Sequence, residues 1–422
     1  MHGAPGQKPC MANLSSEITV GPAALSPLTQ APPHVPEALI FDFDYFNAPE
    51  LAHEPHRNAL ILHDKAPPIF WSRRNGGHWI VTRAAPALAM LQRPDLFPSD
   101  PRYNPGARTP RTLPNLSDPP EHTEYRRILN KWFAPGAMAA MEPEIRALAI
   151  ELIEELRPRG ESEFLRDIAK QFPIVIFLRL VGAPLEDREM LCVWAERAVR
   201  APERAERDAV GRDMLAYVRK LFDERRRNPG PDLLSRLLAA TIDGRSLTQA
   251  ELDGIGLLLF LGGLDTVASV LTFTMAYLAT HPADYARLVA DRGLIGRALE
   301  ELLRVHGVGT IERGVKEEVT FEGVDFKPGE RVSFMLGLYG MDIPEIDDPL
   351  TVDLDREISR HLIFGAGPHR CLGSHLARVE IRVFLEEWCA RIPHFGIAPG
   401  KQVRTMGGIV WSPVDMPLVW PQ

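Results

Sequence analysis

The residues with the clearest chemical potential in this sequence lie near its C-terminal end, where residues 364–373 read Phe-Gly-Ala-Gly-Pro-His-Arg-Cys-Leu-Gly. Two glycines and a proline exclude a regular helix or strand before Cys371. After the cysteine, apolar residues recur at helical spacing, at Leu372, Leu376, Val379 and Val383. We therefore predict a helix that begins at or just after Cys371, with free N–H groups that favour a thiolate. Such a thiolate suits a soft metal ion; the alternative is a buried structural cysteine.

A second candidate lies upstream, in a stretch that the sequence predicts to be one long helix from Thr248 to about Thr280. Residues 262–266 read Gly-Gly-Leu-Asp-Thr, and two glycines inside a helix cost about 2 kcal/mol relative to alanine. One interpretation is a tight crossing of two helices. The functional interpretation is that the small residues leave room for a cofactor, while Asp265 and Thr266 place an acid and a hydroxyl beside it.

Two pairs of charged residues also have helical spacing. His122 and Arg126 lie four residues apart on a predicted helix that Asp118 can cap. On spacing alone they form a solvated polar face, although an arginine fork can also grip a carboxylate. Glu301 and Arg304 lie three residues apart on a later predicted helix, where a surface ion pair is the ordinary interpretation.

Organisation along the chain indicates one large domain. Residues 1–35 are rich in Pro, Gly and Ser and predict a mobile tail, whereas residues 36–422 contain no comparable linker and no repeat. The turn pattern Asn75-Gly76-Gly77 between two apolar runs predicts a β-hairpin. Seven prolines mark residues 98–120 as an irregular segment, and segments of this length are usually functional or disordered. Short strands are expected at residues 319–321, 324–326 and 331–335.

Composition and charge exclude several classes of protein. The chain has 48 basic and 56 acidic residues and a net charge of −8. This acidic balance argues against a nucleic-acid-binding protein, which usually carries an excess of basic residues. Its four cysteines show no paired or metal-finger spacing, which indicates a reducing compartment. No apolar run reaches the ~18–20 residues of a membrane span, and the N-terminus lacks a signal-peptide pattern. We therefore expect a soluble, cytoplasmic protein that binds neither nucleic acid nor membranes.

The stretch around Cys371 resembles the haem-binding loop of the cytochrome P450 family, in which Phe, Gly, a basic residue or His, Cys and Gly recur at this spacing. The stretch from 262 to 266 resembles the oxygen-activation helix of the family. Glu301 and Arg304 resemble its Glu-x-x-Arg motif, with Arg356 as the third member. Further stretches are similar to the bacterial camphor-hydroxylating branch, namely residues 41–44, 75–80, 391–395 and 417–420. The resemblance implies a mainly α fold with small β-sheets and with haem between the long central helix and the cysteine loop.

The resemblance also implies roles for individual residues. Cys371 would ligate the iron of haem b, and the haem propionates would be bound by Arg126, Arg313 and His369, joined by His122. Asp265 and Thr266 would deliver protons, and the partners of Asp265 would be Arg200 and Glu196. The walls of the substrate pocket would include Leu258, Leu261, Gly262, Gly309, Ile409 and Val410. An aspartate that neighbours one propionate in the camphor enzyme is replaced by Ile311.

The implied activity is insertion of one oxygen atom from dioxygen into a C–H bond, with electrons from a separate [2Fe–2S] ferredoxin and its reductase. Apolar pocket walls predict a compact hydrophobic substrate, such as a terpenoid or norisoprenoid. Residues 98–120 resemble the loop that roofs the pocket, but residues 109–113 lack the tyrosine that holds the camphor ketone, and Tyr103 is the candidate to replace it. The alternatives are a haem-thiolate binding or sensor protein without turnover and a peroxide-driven peroxygenase; the pair Asp265 and Thr266 argues against both.

Overall fold

A computed structural model of the protein describes residues 24–106, 110–201, 203–357 and 360–422. Its α-helices are α1 (Pro55–Asn58), α2 (Ile61–Lys65), α3 (Ala84–Leu91), α4 (Glu121–Trp132), α5 (Pro135–Ala139), α6 (Glu142–Leu156), α7 (Gln171–Val181), α8 (Arg188–Arg200), α9 (Arg204–Arg227), α10 (Leu233–Leu238), α11 (Gln249–Gly263), α12 (Thr266–Thr280), α13 (Pro282–Ala290), α14 (Ile295–Val305), α15 (Leu336–Tyr339) and α16 (Ser374–Arg391). The expectation of a mainly α fold with small sheets is confirmed.

The strands are short and form several small sheets. They are β1 (Ile69–Ser72), β2 (His78–Val81), β3 (Glu161–Glu163), β4 (Thr241–Ile242), β5 (Arg245–Ser246), β6 (Thr310–Gly314), β7 (Val319–Phe321), β8 (Val324–Phe326), β9 (Arg331–Met335), β10 (Gly396–Ile397), β11 (Arg404–Met406), β12 (Ser412–Asp415) and β13 (Pro417–Val419). The largest sheet has the order β1-β2-β9-β6, and a three-stranded sheet has the order β10-β13-β3. In the largest sheet only the β2–β9 pair is parallel among the described strands.

The predicted hairpin is formed by β1 and β2, which pair antiparallel from Ile69 opposite Val81 to Ser72 opposite His78. Its turn requires a glycine at Gly77, where φ is +79° and a Cβ atom would lie 2.9 Å from the Trp71 ring. The three later strands that the sequence predicts are also present, as β7, β8 and β9.

The core is one continuous cluster of buried residues that extends from Val35 to Trp420. Within it α16 packs on α5, α6 and α14, while α12 packs on α7, β10 and β12. The stretch Gln249–Thr280 is long and apolar enough to cross a membrane, but 67% of its most apolar window is buried inside the protein, as in a core helix. The continuity of the core supports the single domain over residues 36–422, which stays a prediction.

The predicted long central helix is interrupted. Helix α11 ends at Gly263 and α12 begins at Thr266, with Leu264 and Asp265 between them. Asp265 has φ −126° and does not cap α12 with its side chain, because its carboxylate binds Arg200 instead. The predicted long helix is therefore present from Gln249 to Thr280, with a local break at Leu264 and Asp265 that the sequence did not predict.

The described part of the N-terminal segment, residues 24–35, makes backbone contacts with the rest of the protein. Residues 1–23 of the expected tail lie outside the described residues. Residues 24–35 pack on the body of the protein: the Ser26 N–H donates to a carboxylate oxygen of Asp44 at 2.7 Å, and the Thr29 N–H donates to a carbonyl beside β1 at 2.9 Å. The expectation of a mobile tail over residues 1–35 stays a prediction, and composition alone does not reveal these backbone contacts.

Candidate active site

Cys371 lies in a tight loop immediately before α16, which begins at Ser374. Its N–H donates to the carbonyl of Phe364 at 2.8 Å and closes the loop. Gly367 has φ +65°, and a Cβ atom there would lie 2.3 Å from the carbonyl oxygen of Leu91. Only glycine fits this close approach, so the loop is fixed against α3. The predicted helix start just after the cysteine is confirmed.

The Cys371 side chain faces a cavity on one side and protein on the others. It is exposed toward the cavity, yet burial by the surrounding protein raises the pKa of its thiol. The N–H of Gly373 and the charges of Arg126 and Arg370 lower that pKa and only partly offset burial. The expected preference for a thiolate is therefore wrong for the metal-free side chain. Metal binding would deprotonate it, because the thiolate is the ligand form.

A cavity of about 560 Å³ is lined both by Cys371 and by the interruption between α11 and α12. The two glycines there have different surroundings. A Cβ atom on Gly262 would meet nothing within 4 Å, whereas one on Gly263 would lie 2.6 Å from the Phe177 ring. Gly263 thus serves helix packing, and Gly262 keeps the cavity open. The cavity is also lined by every predicted wall residue, namely Leu258, Leu261, Gly262, Gly309, Ile409 and Val410.

Two arginines that line this cavity, Arg126 and Arg313, form no ion pair with a carboxylate in the part of the chain that the structure describes. Arg126 has no hydrogen bond or ion pair within the described part of the chain, and burial lowers the pKa of its guanidinium. Arg313 is 5% exposed, donates to the carbonyl of Glu312 at 2.7 Å, and has its pKa lowered to about 10 by burial. Buried cations without a counter-ion are costly. The pair therefore fits an anionic ligand with carboxylates, such as the propionates of haem b.

His369 and His122 lie beside these arginines, with ring centroids 4.3 Å apart. The Nε2 atom of His369 is 3.2 Å from a carboxylate oxygen of Asp118. Asp118 also accepts from the N–H of Ser99 at 3.0 Å, while α4 begins at Glu121 without a side-chain cap. The prediction that Asp118 caps this helix is wrong, because its carboxylate is held by these other donors. Burial lowers the pKa of His122 to about 3, so its ring is neutral.

Asp265 is 4% exposed and is bound by Arg200, whose Nη2 atom lies 2.7 and 2.8 Å from the two carboxylate oxygens. The Thr266 hydroxyl lies 3.4 Å from a carbonyl of the preceding helical turn, and Thr266 lines the cavity. Glu196 is not a direct partner of Asp265: its carboxylate binds Lys170 at 2.8 Å and lies 3.9 Å from Nη1 of Arg200. The structure thus brings Arg200 to Asp265, and Glu196 reaches it only through Arg200.

Glu301 and Arg304 are fully buried on α14 and are not a surface pair. The Nε atom of Arg304 lies 2.9 Å from Glu301, and its Nη atoms donate to the carbonyls of Gly340 and Thr351 at 2.8 and 2.7 Å. The Nε atom of Arg356 is also 2.9 Å from the Glu301 carboxylate. The three-membered network implied by the resemblance is present, and it ties α14 to the segment that leads to the cysteine loop.

The roof segment does not supply the expected tyrosine. Tyr103 is absent from the described residues that line the cavity, and its ring lies beside the Arg102 guanidinium instead. The tyrosine that does line the cavity is Tyr45, whose hydroxyl donates to Glu312 at 3.3 Å. No sequence signal marks Tyr45, because it is far from the roof segment along the chain. Residues 107–109, part of the stretch compared with the tyrosine-bearing loop, lie outside the described residues.

Comparisons with known proteins agree with this geometry. A family model described as "Cytochrome P450" matches residues 201–391. "Probable cytochrome P450 127A1" of Sinorhizobium fredii is 36% identical over 400 residues, which cover 92% of this chain and 96% of that protein. "Vitamin D(3) 25-hydroxylase" of Pseudonocardia autotrophica is 31% identical over 86% of this chain and 94% of its own length.

Solved structures give the same result. The crystal structure of CYP101J2 has a TM-score of 0.84 and 35% identity, covering 94% of this chain and 100% of that chain. The structure of CYP101C1 has a TM-score of 0.84 and 32% identity, covering 93% and 100%. Both are members of the camphor-hydroxylase branch, so the similarity to that branch is confirmed. The chain therefore belongs to the cytochrome P450 family, and it is a bacterial-type monooxygenase that binds haem b.

Proposed function

We propose that the protein hydroxylates a compact hydrophobic substrate, such as a terpenoid or norisoprenoid, with one oxygen atom of dioxygen. The observation that carries this proposal is the apolar cavity wall, to which α11 contributes Leu258 and Leu261 and the segment before β12 contributes Ile409 and Val410. A Cβ atom added at Gly309 would lie 3.4 Å from Leu336, in van der Waals contact, so a larger side chain at this wall position would take volume that the glycine leaves to the cavity. An apolar wall binds a substrate by burying its apolar surface, and each buried methylene group contributes about 0.8 kcal/mol to the binding free energy.

Cys371 is proposed to bind the haem iron, and Arg126, Arg313 and His369 to bind the propionates. When bound, haem b supplies the activation of dioxygen, which a thiolate ligand promotes. The two guanidinium groups suit this task because each can donate two parallel hydrogen bonds to one carboxylate. His122 is proposed to add one N–H donor from its neutral ring. Support comes from the positive charges of half-buried Arg126 and buried Arg313, neither of which forms an ion pair with a carboxylate among the described residues.

Asp265 is proposed to carry protons toward the cavity, and Thr266 to pass them on through its hydroxyl. In the geometry described above, both oxygens of the Asp265 carboxylate are bound to Arg200, so the carboxylate must leave Arg200 to take up or deliver a proton. Arg200 cannot carry the proton itself, because guanidinium groups are not deprotonated in proteins. Arg200 thus keeps the Asp265 carboxylate bound until it is needed for proton transfer. Glu196 affects Asp265 only indirectly, through its position beside Arg200.

Electrons are proposed to come from a [2Fe–2S] ferredoxin and its reductase, and the protein is proposed to act in the cytoplasm as a single domain over residues 36–422. The similarity to the two CYP101 structures supports the choice of donor. The continuous core supports the single domain.

A binding titration tests the substrate class. The missing roof tyrosine removes a hydrogen bond worth ~0.5–1.5 kcal/mol, or roughly twofold to tenfold in affinity. An ionone ketone, which has a few more carbon atoms than camphor, regains more than this by burial. We expect ionone to bind more tightly than camphor, measured by the change in haem absorbance on substrate binding, and to give fewer products.

The variant Gly309→Val provides the control for this titration. It adds a larger side chain to the cavity wall beside Leu336 while leaving the cysteine loop and the charged groups unchanged, so it should weaken ionone binding more than camphor binding. Tighter binding and a single product with camphor in the unmodified protein would contradict the proposed substrate class. An unchanged ratio of ionone affinity to camphor affinity in the variant would contradict the placement of Gly309 in the pocket.

A further inference from the structure

Ser412 is a third partner in the buried group around Asp265. Its hydroxyl oxygen lies 2.6 Å from Nη2 of Arg200, the same nitrogen that binds both carboxylate oxygens of Asp265. Ser412 is fully buried at the start of β12, which packs on α12. Nη2 carries two hydrogens, so one can serve Asp265 while the other serves Ser412. Nothing in the sequence marks this serine.

The neighbours of Ser412 determine how its hydroxyl is oriented. The oxygen lies 3.1 Å from the carbonyl of Pro413, which can only accept, and 3.0 Å from the hydroxyl oxygen of Ser269. The hydroxyl hydrogen of Ser412 therefore points to Pro413, and its lone pairs remain for Arg200 and for the Ser269 hydroxyl. Ser412 is thus an acceptor for the guanidinium, fixed by groups that do not belong to Asp265.

Arg200 would be poorly satisfied without this acceptor. Its Nη1 atom is buried and has no hydrogen-bond partner within the described residues, since Glu196 is 3.9 Å away. If Asp265 leaves, Ser412 is the remaining acceptor for Nη2 among the contacts described. With Asp265 bound, both of its carboxylate oxygens lie within 2.8 Å of Nη2 and can accept from it even without Ser412. With Asp265 released, Nη2 has no described acceptor unless Ser412 is present. This difference of one unpaired buried donor costs roughly 1.4 kcal/mol or more, which corresponds to about tenfold in the opening equilibrium.

We propose that Ser412 is a positioning residue, which keeps Arg200 in place while Asp265 separates from it and so determines how often Asp265 is free to carry a proton. This inference rests on the proposed role of Asp265 in proton delivery. It also gives Arg200 a defined position in both states of the pair, one with Asp265 bound and one with Asp265 released.

The variant that tests this is Ser412→Ala, and Ser269→Ala is its matched control. Both serines are fully buried, and their hydroxyl oxygens lie 3.0 Å from each other. Of the two, Ser412 has a described hydrogen bond with Arg200, and Ser269 has none. Opening of the ion pair is measured as hydrogen exchange of the Arg200 guanidinium, by 15N-arginine NMR on the carbon monoxide complex of the reduced holoenzyme, with Arg200→Lys for assignment. We expect exchange in S412A to be about tenfold slower and exchange in S269A to be within twofold of the unmodified protein.

A second variant covers failure of S412A to fold. Ser412→Cys keeps the side-chain shape but offers a weak acceptor, so its exchange should also be slowed, by a smaller factor. Exchange in S412A, or in S412C where S412A does not fold, that is as fast as in S269A would overturn the proposal.

Turnover separates this inference from the proposed function. S412A should lower product formation and raise its solvent deuterium isotope effect, because proton delivery then limits the rate, while the substrate KM stays unchanged. A product rate and isotope effect in S412A equal to those in S269A would overturn the proposal. If the Asp265→Asn variant turns over normally, the proposed role of Asp265 in proton delivery is refuted. The NMR comparison of S412A with S269A still decides whether Ser412 positions Arg200.

Discussion

Arg313 holds a buried positive charge that should have opposite effects on the haem-free and haem-bound protein. Burial lowers its pKa to about 10 from 12.5, and its direct hydrogen bond among the described residues goes to a backbone carbonyl. Each pKa unit corresponds to about 1.4 kcal/mol, so the charged side chain destabilises the haem-free fold by about 3 kcal/mol at neutral pH. A haem propionate would supply the missing counter-charge.

The variant Arg313→Met removes this charge and keeps most of the side-chain volume. We expect the haem-free chain to become more stable to urea by up to about 3 kcal/mol, as when hydrophobic residues replace buried charges. The holoenzyme should instead lose haem about tenfold to a hundredfold faster, because a hydrogen bond to a charged group contributes ~1.5–3 kcal/mol. The measurements are urea unfolding of the haem-free chain and the rate of haem transfer to an excess of acceptor globin.

The matched control is Arg331→Met on β9, the strand that pairs with β6. Arg331 lines the same cavity, but its guanidinium already binds the carbonyl of Gly77 at 3.3 Å and the carboxylate of Glu312 at 3.4 Å. Its loss should destabilise the haem-free chain and leave the rate of haem transfer within a few-fold of the unmodified protein. Haem retention by Arg313→Met equal to that of the unmodified protein would refute the assignment of Arg313 to a propionate.

Two further predictions concern proton delivery and acid stability. Thr266→Ala should still consume oxygen but divert it largely to hydrogen peroxide, whereas Asp265→Asn should slow the whole cycle; product, peroxide and oxygen measured together check this, and normal rate and coupling in both variants would contradict it. Burial lowers the pKa of His56 to about 4, so the folded state keeps this ring neutral while the unfolded chain protonates it below about 6.5. Stability should therefore fall as the pH decreases from 6.5 to 4, and His56→Gln should reduce this loss by about 3 kcal/mol in urea unfolding at each pH; an unchanged pH dependence would show that His56 is already protonated in the fold.

Short sequence patterns were sufficient to predict the elements that are determined by neighbouring residues, namely the cysteine loop, the helix that follows it and the hairpin. The glycines before Cys371 force a loop, and the apolar residues after it force a helix, so both could be predicted without tertiary information. The hairpin around Gly77 follows from its turn residues in the same way. Resemblance to the family added the buried Glu301 and Arg304 network, for which spacing alone favoured a surface pair.

The features that the sequence did not predict depend on contacts between distant segments. The interruption after Gly263 coincides with the binding of Asp265 to Arg200, 65 residues away along the chain, which helical periodicity cannot reveal. Asp118 fails to cap α4 because His369 lies beside it. Tyr45 lines the cavity and Tyr103 does not, which spacing along the chain cannot reveal. In the first two cases a long-range polar contact overrides a local preference.

The absorption spectrum of the reduced carbon monoxide complex shows directly whether the Cys371 thiolate is the iron ligand. Cys371→His should bind haem but lose the thiolate-type band of this complex, because an imidazole replaces the sulfur ligand. The control is Cys389→Ala, which removes a buried cysteine of α16 that does not line the cavity, and it should keep the band. An unchanged thiolate-type band in Cys371→His, or its loss in Cys389→Ala, would contradict the assignment of Cys371 as the iron ligand.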